Sequence, residues 1–239
     1  MRPVASIAFA AVIAIPLPAF AYRPFDSTDP AVAEKGAFEV EAAPLSYRRD
    51  ENGHTWIAPQ LRLNYGFADN WEVVLEGQSE YAPHAAGRLE DNALSLKNVF
   101  REGTLQDKDG VSIAAEYTLL LPGIHEDNGV GAEITGIIGQ QFSWGAVHVN
   151  VAAALTREQR GEVFFGTILE GPNAWVVRPV AEFVYERDTA GHEQTAFLAG
   201  AIWQVKDGLA FDAAVRRANT DGQTATEIRA GFTFDFSLR

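Results

Sequence analysis

The stretch that decides the fold reads WIAPQLRLNYGF at residues 56–67, ADN at 68–70 and WEVVLEGQSEY at 71–81. Side chains alternate in both halves, so that one face is mostly apolar and the other carries most of the polar residues, which is the signature of a β-strand. The residues between the halves are typical of a tight turn. Leu61 and Leu63 are predicted on one face, and Trp56, Arg62 and Asn64 on the other. The stretch therefore predicts an antiparallel hairpin with one apolar face.

The same alternation continues to the end of the chain, interrupted by turn dipeptides such as Asn52-Gly53, Asp109-Gly110 and Asp221-Gly222. Because Phe164-Phe165 breaks the alternation in one segment, a barrel of ten strands with a folded loop at 162–170 is an alternative to twelve. The favoured prediction is an all-β fold, an antiparallel up-and-down β-barrel of about twelve strands. The strands are predicted near residues 37–47, 55–67, 71–82, 92–101, 111–121, 130–142, 146–156, 162–170, 175–186, 193–204, 209–217 and 225–237.

Strand length and aromatic placement favour a transmembrane barrel over a soluble one. Most predicted strands have 9–13 residues, near the 9–11 that a tilted strand needs to cross a bilayer. Aromatic side chains collect at the strand ends on the side of the C-terminus, as amphipathic rings do at the headgroup level of a membrane. We therefore predict a barrel surrounded by the lipids of the bacterial outer membrane. The predicted girdle consists of Phe67, Trp71, Phe100, Phe142, Trp144, Trp175, Trp203 and Phe236.

The chain begins with a predicted signal peptide at residues 1–21. Arg2 precedes an apolar run too short to span a bilayer, and Ala19-Phe20-Ala21 is a typical cleavage site. Residues 22–36, which contain Pro24 and Pro30, are predicted to be a coiled segment in the periplasm, and the sequence leaves open whether this segment plugs the lumen. The barrel itself is assigned to residues 37–239.

The last strand has the strongest apolar alternation, from Ile228 through Phe232, Phe234 and Phe236 to Leu238. This resembles the C-terminal strand that outer-membrane proteins present to the barrel assembly machinery, which makes that machinery an expected partner. The chain departs from that pattern at its end, Leu238-Arg239, where Phe is the usual last residue.

Composition excludes several functions. The formal charge of −13 argues against nucleic acid as a partner, because phosphate binding needs a basic face. With no cysteine, the chain has no disulfide or thiolate chemistry.

Charged side chains are concentrated on the face opposite the apolar one, where they would line the lumen. Two interpretations stay open: a salt-bridge network that fills a narrow barrel, or a polar channel lining that selects by charge. Carboxylates exceed bases, so the stripe Glu72, Glu76 and Glu80 predicts a preference for cations. The candidate lining residues are Glu39, Glu41, Arg62, Glu72, Glu76, Glu80, Lys97, Glu116, Glu133, Arg178, Glu182, Asp212, Arg216 and Arg229.

No pattern predicts catalysis, a metal or a cofactor. His54, His84, His125 and His192 fall in predicted outer loops and His148 on a strand, and there is no G-x-S-x-G motif. An EF-hand loop through Asp107, Asp109, Gly110 and Glu116 is disfavoured, because its first position is Leu105 and its second half is strand-like. We therefore expect a protein that is not an enzyme.

One region carries a family resemblance. It comprises Asn92-Ala-Leu-Ser-Leu-Lys-Asn-Val-Phe-Arg101, then Val111-Ser-Ile-Ala-Ala-Glu-Tyr117 and Leu121-Pro122-Gly123. These residues resemble the outer-membrane transporter family linked to meta-pathway phenol degradation, with its D-x-x-L-x-L-K-Y strand followed by an apolar strand and Leu-Pro-Thr-Gly. Asn98 replaces the usual aromatic residue, and the Thr is missing. The resemblance implies a barrel that passes small, often aromatic, molecules.

Together these patterns predict an outer-membrane channel for passive or selective diffusion of small solutes. The alternatives are a barrel with an enzymatic or adhesive role on its outer loops, and a structural barrel with a plugged lumen.

Overall fold

The fold is built almost entirely from antiparallel strands. A computed structural model describes residues 23–125 and 129–237; the predicted signal peptide and Leu238-Arg239 lie outside these ranges. A short 3₁₀ helix at Thr104–Gln106 is the one helix in the described ranges, where no helix is long and apolar enough to cross a bilayer. The strands are β1 Ala37–Ala43, β2 Ser46–Arg49, β3 His54–Ala68, β4 Trp71–Tyr81, β5 Arg88–Arg101, β6 Ser112–Leu120, β7 Gly131–Phe142, β8 Gly145–Leu155, β9 Gly161–Glu170, β10 Val177–Asp188, β11 Glu193–Lys206, β12 Leu209–Thr220 and β13 Gln223–Ser237.

The sheet closes on itself. From β3 to β13 each strand pairs with the next along the chain, and β1 and β2 each pair with both β13 and β3. Thus β1 and β2 form a single barrel strand that is interrupted at Pro44 and Leu45, where the proline has no amide hydrogen to donate. The prediction of a twelve-stranded up-and-down barrel is confirmed.

The doubtful segment at 162–170 is part of a full strand. β9 pairs along its length with both β8 and β10, so the alternative of ten strands and a folded loop is wrong. Phe164 faces inward and packs against Val184, Ala196 and Ala218, whereas Phe165 faces outward beside Phe183. The alternation is therefore intact, with one phenylalanine on each face.

The faces follow the predicted alternation, with one local exception. Large apolar side chains such as Leu63, Leu75 and Val151 are exposed on the outside of the barrel, and the polar side chains point inward. In β3 the pairing with β4 shifts between Ile57 and Gln60. This bulge reverses the faces of the residues before it, because one extra residue changes the side-chain parity. Trp56, which was predicted to face inward, is therefore exposed on the outside.

The barrel has two distinct ends. At the C-terminal end, where β13 stops, the connections are residues 69–70, 102–111, 143–144, 171–176 and 207–208. At the opposite end they are 50–53, 82–87, 121–130, 156–160, 189–192 and 221–222. The gap between the strands predicted at 209–217 and 225–237 is in fact the two-residue turn 221–222, because β12 and β13 pair as far as Thr220 and Gln223.

The closed sheet has a simple experimental consequence. A barrel without a free edge keeps its backbone hydrogen bonds in SDS until it is heated. We expect unboiled protein to migrate differently from boiled protein on an SDS gel. Identical mobility before and after boiling would contradict the closed barrel.

Candidate functional site: an occupied lumen

The charged wall residues face the barrel interior. All the candidate lining residues are inward-facing on their strands, and most of them are buried. They are paired with one another: Arg62 contacts Glu76 at 2.7 Å and Glu116 at 3.1 Å, and Lys97 lies 3.6 Å from Glu72. Both interpretations left open by the sequence, an ion-pair network and a polar lining, thus describe the same residues.

Each carboxylate of the β4 stripe contacts a cation of the wall. Glu72 lies beside Lys97, and Glu76 accepts a hydrogen bond from Arg62. At the opposite end of the strand, Glu80 is buried and accepts hydrogen bonds from Arg48 at 2.7 Å and Arg88 at 3.0 Å. Each carboxylate of the stripe is thus held by a cation, and Arg62 and Lys97 are shared with Glu41, Glu116 and Asp29.

The interior is occupied by the start of the described chain, residues 23–35, which we call the lumen segment. Arg23, Pro24, Phe25, Ser27 and Thr28 are all buried. The segment enters at the C-terminal end, where Lys35 bridges to Gly66 of β3. This placement corrects the prediction of a coiled segment in the periplasm. Its short polar side chains and prolines suit coil in water, but here the wall supplies the hydrogen-bonding partners that water would supply.

Asp26 makes the shortest ion pairs of the lumen segment. Its carboxylate lies 2.6 Å from Arg216 of β12 and 2.8 Å from Arg229 of β13. The guanidinium of Arg229 also contacts Glu227 and donates to the carbonyl of Pro24. Charge-assisted hydrogen bonds of this length are stronger than neutral ones, so this cluster anchors the segment to the wall.

The backbone of the lumen segment is satisfied by wall side chains. Glu182 of β10 accepts hydrogen bonds from the amides of Asp26 and Ser27. Asn150 of β8 accepts from the amide of Thr28 at 3.1 Å and donates to its carbonyl at 2.7 Å. An unpaired buried backbone group costs free energy. Here the wall side chains supply the hydrogen bonds that a neighbouring strand would otherwise supply.

Ion pairs and hydrogen bonds also hold the first residue of the lumen segment and its middle. The guanidinium of Arg23 contacts Asp212 at 3.3 Å, while its amide donates to Glu41. Lys97 donates to the hydroxyl of Thr28 at 3.0 Å and lies 3.7 Å from Asp29. The contacts come from strands on every side of the barrel, so the segment crosses the lumen.

Two wall glycines make room for the lumen segment. A Cβ atom at Gly166 of β9 would collide with the hydroxyl of Ser27, and one at Gly231 of β13 would collide with the guanidinium of Arg23. Both glycines face inward within strands, where a glycine is unfavourable unless another part of the chain approaches closely. The wall is therefore shaped to fit the segment.

Two apolar side chains complete the docking. Phe25 belongs to a buried cluster with Ile168, Val180, Leu198 and neighbouring wall residues. Val32 packs against a second cluster, formed by Val99, Ala114 and Ile137. Burial of two such side chains stabilises the docked segment by roughly 1.5–3 kcal/mol each at most.

The connection 102–111 helps to close the C-terminal end of the barrel. Its 3₁₀ helix turns inward, so that Leu105 is buried and Gln106 donates to the carbonyl of Pro30 at 3.2 Å. This explains why the connection is longer than an ordinary turn at this end.

Two cavities flank the lumen segment. The larger, which we call the vestibule, has a volume of about 1070 Å³ and opens at the C-terminal end, where turn residues such as Asn70 and Asp207 line it. The smaller, of about 50 Å³, lies between Arg23, Phe25 and the middle of β3 and β4. Glu41 and Arg62, whose charged groups lie 3.9 Å apart, line both cavities.

The predicted girdle residues lie around the C-terminal end of the barrel. Most are exposed on the outer surface, and Phe142 stacks on Trp144 with ring centroids 5.2 Å apart. A smaller aromatic group lies at the opposite end, where Trp56 contacts Tyr47 at 4.8 Å between centroids. Outer-membrane barrels carry aromatic residues at both membrane interfaces, and the assignment of these residues to such a girdle stays a prediction.

Two of the five histidines contact carboxylates. His148 is fully buried beside Glu170 at 3.1 Å. His192 lies in an outer turn 2.7 Å from Asp221; the amide of Glu193 and this ring hydrogen-bond to Asp221 and hold the pKa of its carboxyl below the ordinary value.

The candidate calcium loop is not assembled either. Glu116 points into the lumen towards Arg62, away from the turn that contains Asp107 and Asp109. In the part of the chain that the structure describes, no group of three or more His, Asp or Glu side chains has a geometry suited to a metal.

Several functional contacts were missed by the sequence analysis. Asn64, Asn150, Glu170 and Glu227 all face inward and hold charged or backbone groups. The alternation already placed Asn150 on the polar face of its strand, so Asn150 would have been a candidate lining residue if uncharged polar residues had been included. No sequence signal pointed to the lumen segment.

Comparison with known proteins supports the fold. No family model and no curated protein matches the chain. Among solved structures it is similar to the NanC porin (TM-score 0.60, 8% identity, 82% of this chain and 98% of that one). It is also similar to an outer membrane channel from Pseudomonas putida F1 (TM-score 0.57, 12% identity, 89% and 100%) and to the KdgM porin in complex with disordered oligogalacturonate (TM-score 0.54, 11% identity, 84% and 99%). The shared feature is the porin-like β-barrel fold.

Proposed function

We propose that the protein is an outer-membrane channel for small solutes and that the lumen segment holds it closed. The observation that carries the proposal is that a separate stretch of chain, and not the barrel wall, blocks the lumen. A vestibule of about 1070 Å³ leads into a charged interior and ends against residues 23–35, which are not part of the barrel wall. A block made by a separate stretch of chain can move without unfolding the barrel.

We also propose an orientation for the barrel in the outer membrane. We assign the C-terminal end, with the vestibule, to the periplasm, and the end with Trp56 and the 121–130 connection to the cell exterior. The lumen segment then runs from the barrel interior to the periplasmic mouth, where Lys35 bridges to Gly66, and it follows the predicted signal peptide at residues 1–21. The similar structures described as porins and as an outer membrane channel support the same location and role.

The solutes are proposed to be small molecules. The family resemblance implies small aromatic compounds, and the P. putida neighbour is an outer membrane channel of the same fold. In the proposed open state, the lumen segment leaves its contacts with Glu182, Asn150 and Arg216, and the polar wall lines the path.

A permanently plugged structural barrel is the second candidate, because the lumen segment is held by many ion pairs and hydrogen bonds. The two candidates differ in one property. A channel needs the segment to leave, whereas a structural barrel needs it to stay.

A reversible crosslink tests whether the segment moves. Phe25 of the lumen segment and Ile168 of β9 belong to one buried cluster, and the chain has no native cysteine, so the Phe25→Cys/Ile168→Cys variant holds a single thiol pair. In planar bilayers we expect the oxidised variant to be silent and the reduced variant to conduct, since reduction frees the segment. The two single-cysteine variants are controls and should not respond to oxidation. Equal current in both redox states, or no current in either, would contradict the proposed channel.

A further inference from the structure

The vestibule has an unbalanced charge. Nine carboxyl groups but three cationic side chains line it. Each cation already has a carboxylate partner: Lys97 contacts Asp29 and Glu72, Arg62 contacts Glu41, and Lys35 lies 3.8 Å from Asp69. The lining therefore has an excess of negative charge that the described part of the protein does not neutralise.

Five carboxyl groups of the lining have no ion pair within residues 23–125 and 129–237. They belong to different elements: the lumen segment, β1, the 102–111 connection, the β11–β12 turn and β13. Because they surround one cavity from several sides, their fields add inside it. They are Glu34, Glu39, Asp107, Asp207 and Asp235.

The wall between β1 and β13 shows the imbalance most clearly. Glu39 lies directly opposite Asp235 in the strand register, and Asn64, which is uncharged, donates to Glu39 at 2.8 Å. On the same inward face, Thr233 is 1% exposed and its hydroxyl has no hydrogen-bond partner in the described residues. Two facing carboxylates repel each other when both are ionised, so a cation between them would be favoured, and one oxygen of Asp235 is buried without a hydrogen-bond partner in the described residues.

We propose that the vestibule is a binding site for cationic solutes, either inorganic cations or molecules with a protonated amine. The proposed channel function enters at one point: it makes this site the periplasmic mouth of the solute path. It also relocates the predicted cation preference, because Glu72, Glu76 and Glu80 are held by cations of the wall, whereas the carboxyl groups around the vestibule mouth are not.

Charged thiol reagents test the site without requiring an open pore. Ala37 lines the vestibule, and Ala37→Cys would be the single cysteine of the chain. The folded variant in detergent is treated with a methanethiosulfonate that carries a quaternary ammonium group, or with one that carries a sulfonate. After normalisation to the same variant unfolded in urea, we expect the cationic reagent to react at least about tenfold faster, because an acidic cleft concentrates counter-ions.

Two double variants identify the source of the preference. Adding Glu39→Gln/Asp235→Asn should bring the ratio of the two rates towards that of the unfolded chain. Adding Glu51→Gln/Glu193→Gln, which removes the same charge at the opposite end, should leave the ratio unchanged. Heat-modifiable migration checks that each variant is folded.

A ratio near one in the folded Ala37→Cys protein, faster reaction with the sulfonate, or no reaction with either reagent would overturn the proposed site. Failure of the channel function has a different signature. It would appear as a crosslink variant without current in either redox state, and it would leave the reagent ratio unaffected.

Discussion

Replacing Asp26 by alanine should raise the open probability of the channel roughly tenfold to a hundredfold. Asp26 holds Arg216 at 2.6 Å and Arg229 at 2.8 Å across the lumen. Removing one partner of a buried ion pair costs about 3–5 kcal/mol, and about 1.4 kcal/mol changes a population tenfold. The effect should be smaller than that limit, because Arg229 keeps Glu227 as a partner.

The matched control for this variant is Asp69→Ala. Asp69 pairs with Lys35 at 3.8 Å, at the exposed mouth of the barrel, and a surface pair of this kind contributes about 0–1 kcal/mol. Single-channel recordings in planar bilayers measure both variants beside the wild type. If Asp26→Ala opens no more often than Asp69→Ala, the Asp26 cluster is not what keeps the lumen segment docked.

Replacing Val151 by arginine should destabilise the barrel by roughly 2–4 kcal/mol in a bilayer. Val151 is exposed on the outside of β8, near the middle of a strand that runs from Gly145 to Leu155. At that depth the guanidinium would face hydrocarbon, with no water and no wall carboxylate within reach. Urea unfolding in liposomes measures the change in the free energy of unfolding.

Leu155→Arg is the control for depth. Leu155 is exposed on the same face of the same strand but lies at its last position, where the cost of arginine falls to about 0–1 kcal/mol. The difference between the two variants therefore reports the membrane and not the loss of a large apolar side chain. Equal penalties would place Val151 outside the hydrocarbon region.

Part of the candidate site was predictable from the sequence. Alternation along β4 and β12 placed Glu72, Glu76 and Asp212 on the inner face, because the direction of a strand side chain depends on its position in the local period. The prediction failed for Trp56, where a bulge in β3 shifts that period. A bulge depends on the pairing with the neighbouring strand, and no local sequence pattern predicted this one.

What the sequence determined by itself was the class of barrel and the polar character of its lining. These are local properties, since alternation, strand length and turn residues act within a few positions of one another. It also showed an excess of carboxylates, but not which of them would be neutralised.

Only the tertiary structure decided which partners the lining charges have. Arg23 contacts Asp212 across 189 positions of the chain, and Asp26 contacts Arg216 across 190. Such partners meet only after the barrel has closed and the lumen segment has entered it. The same closure leaves Glu39 facing Asp235, whereas Glu72 and Lys97 already lie opposite each other in the pairing of β4 with β5. Charges on separate strands acquire their partners from the geometry of the closed sheet, and that geometry is not a local property of the sequence.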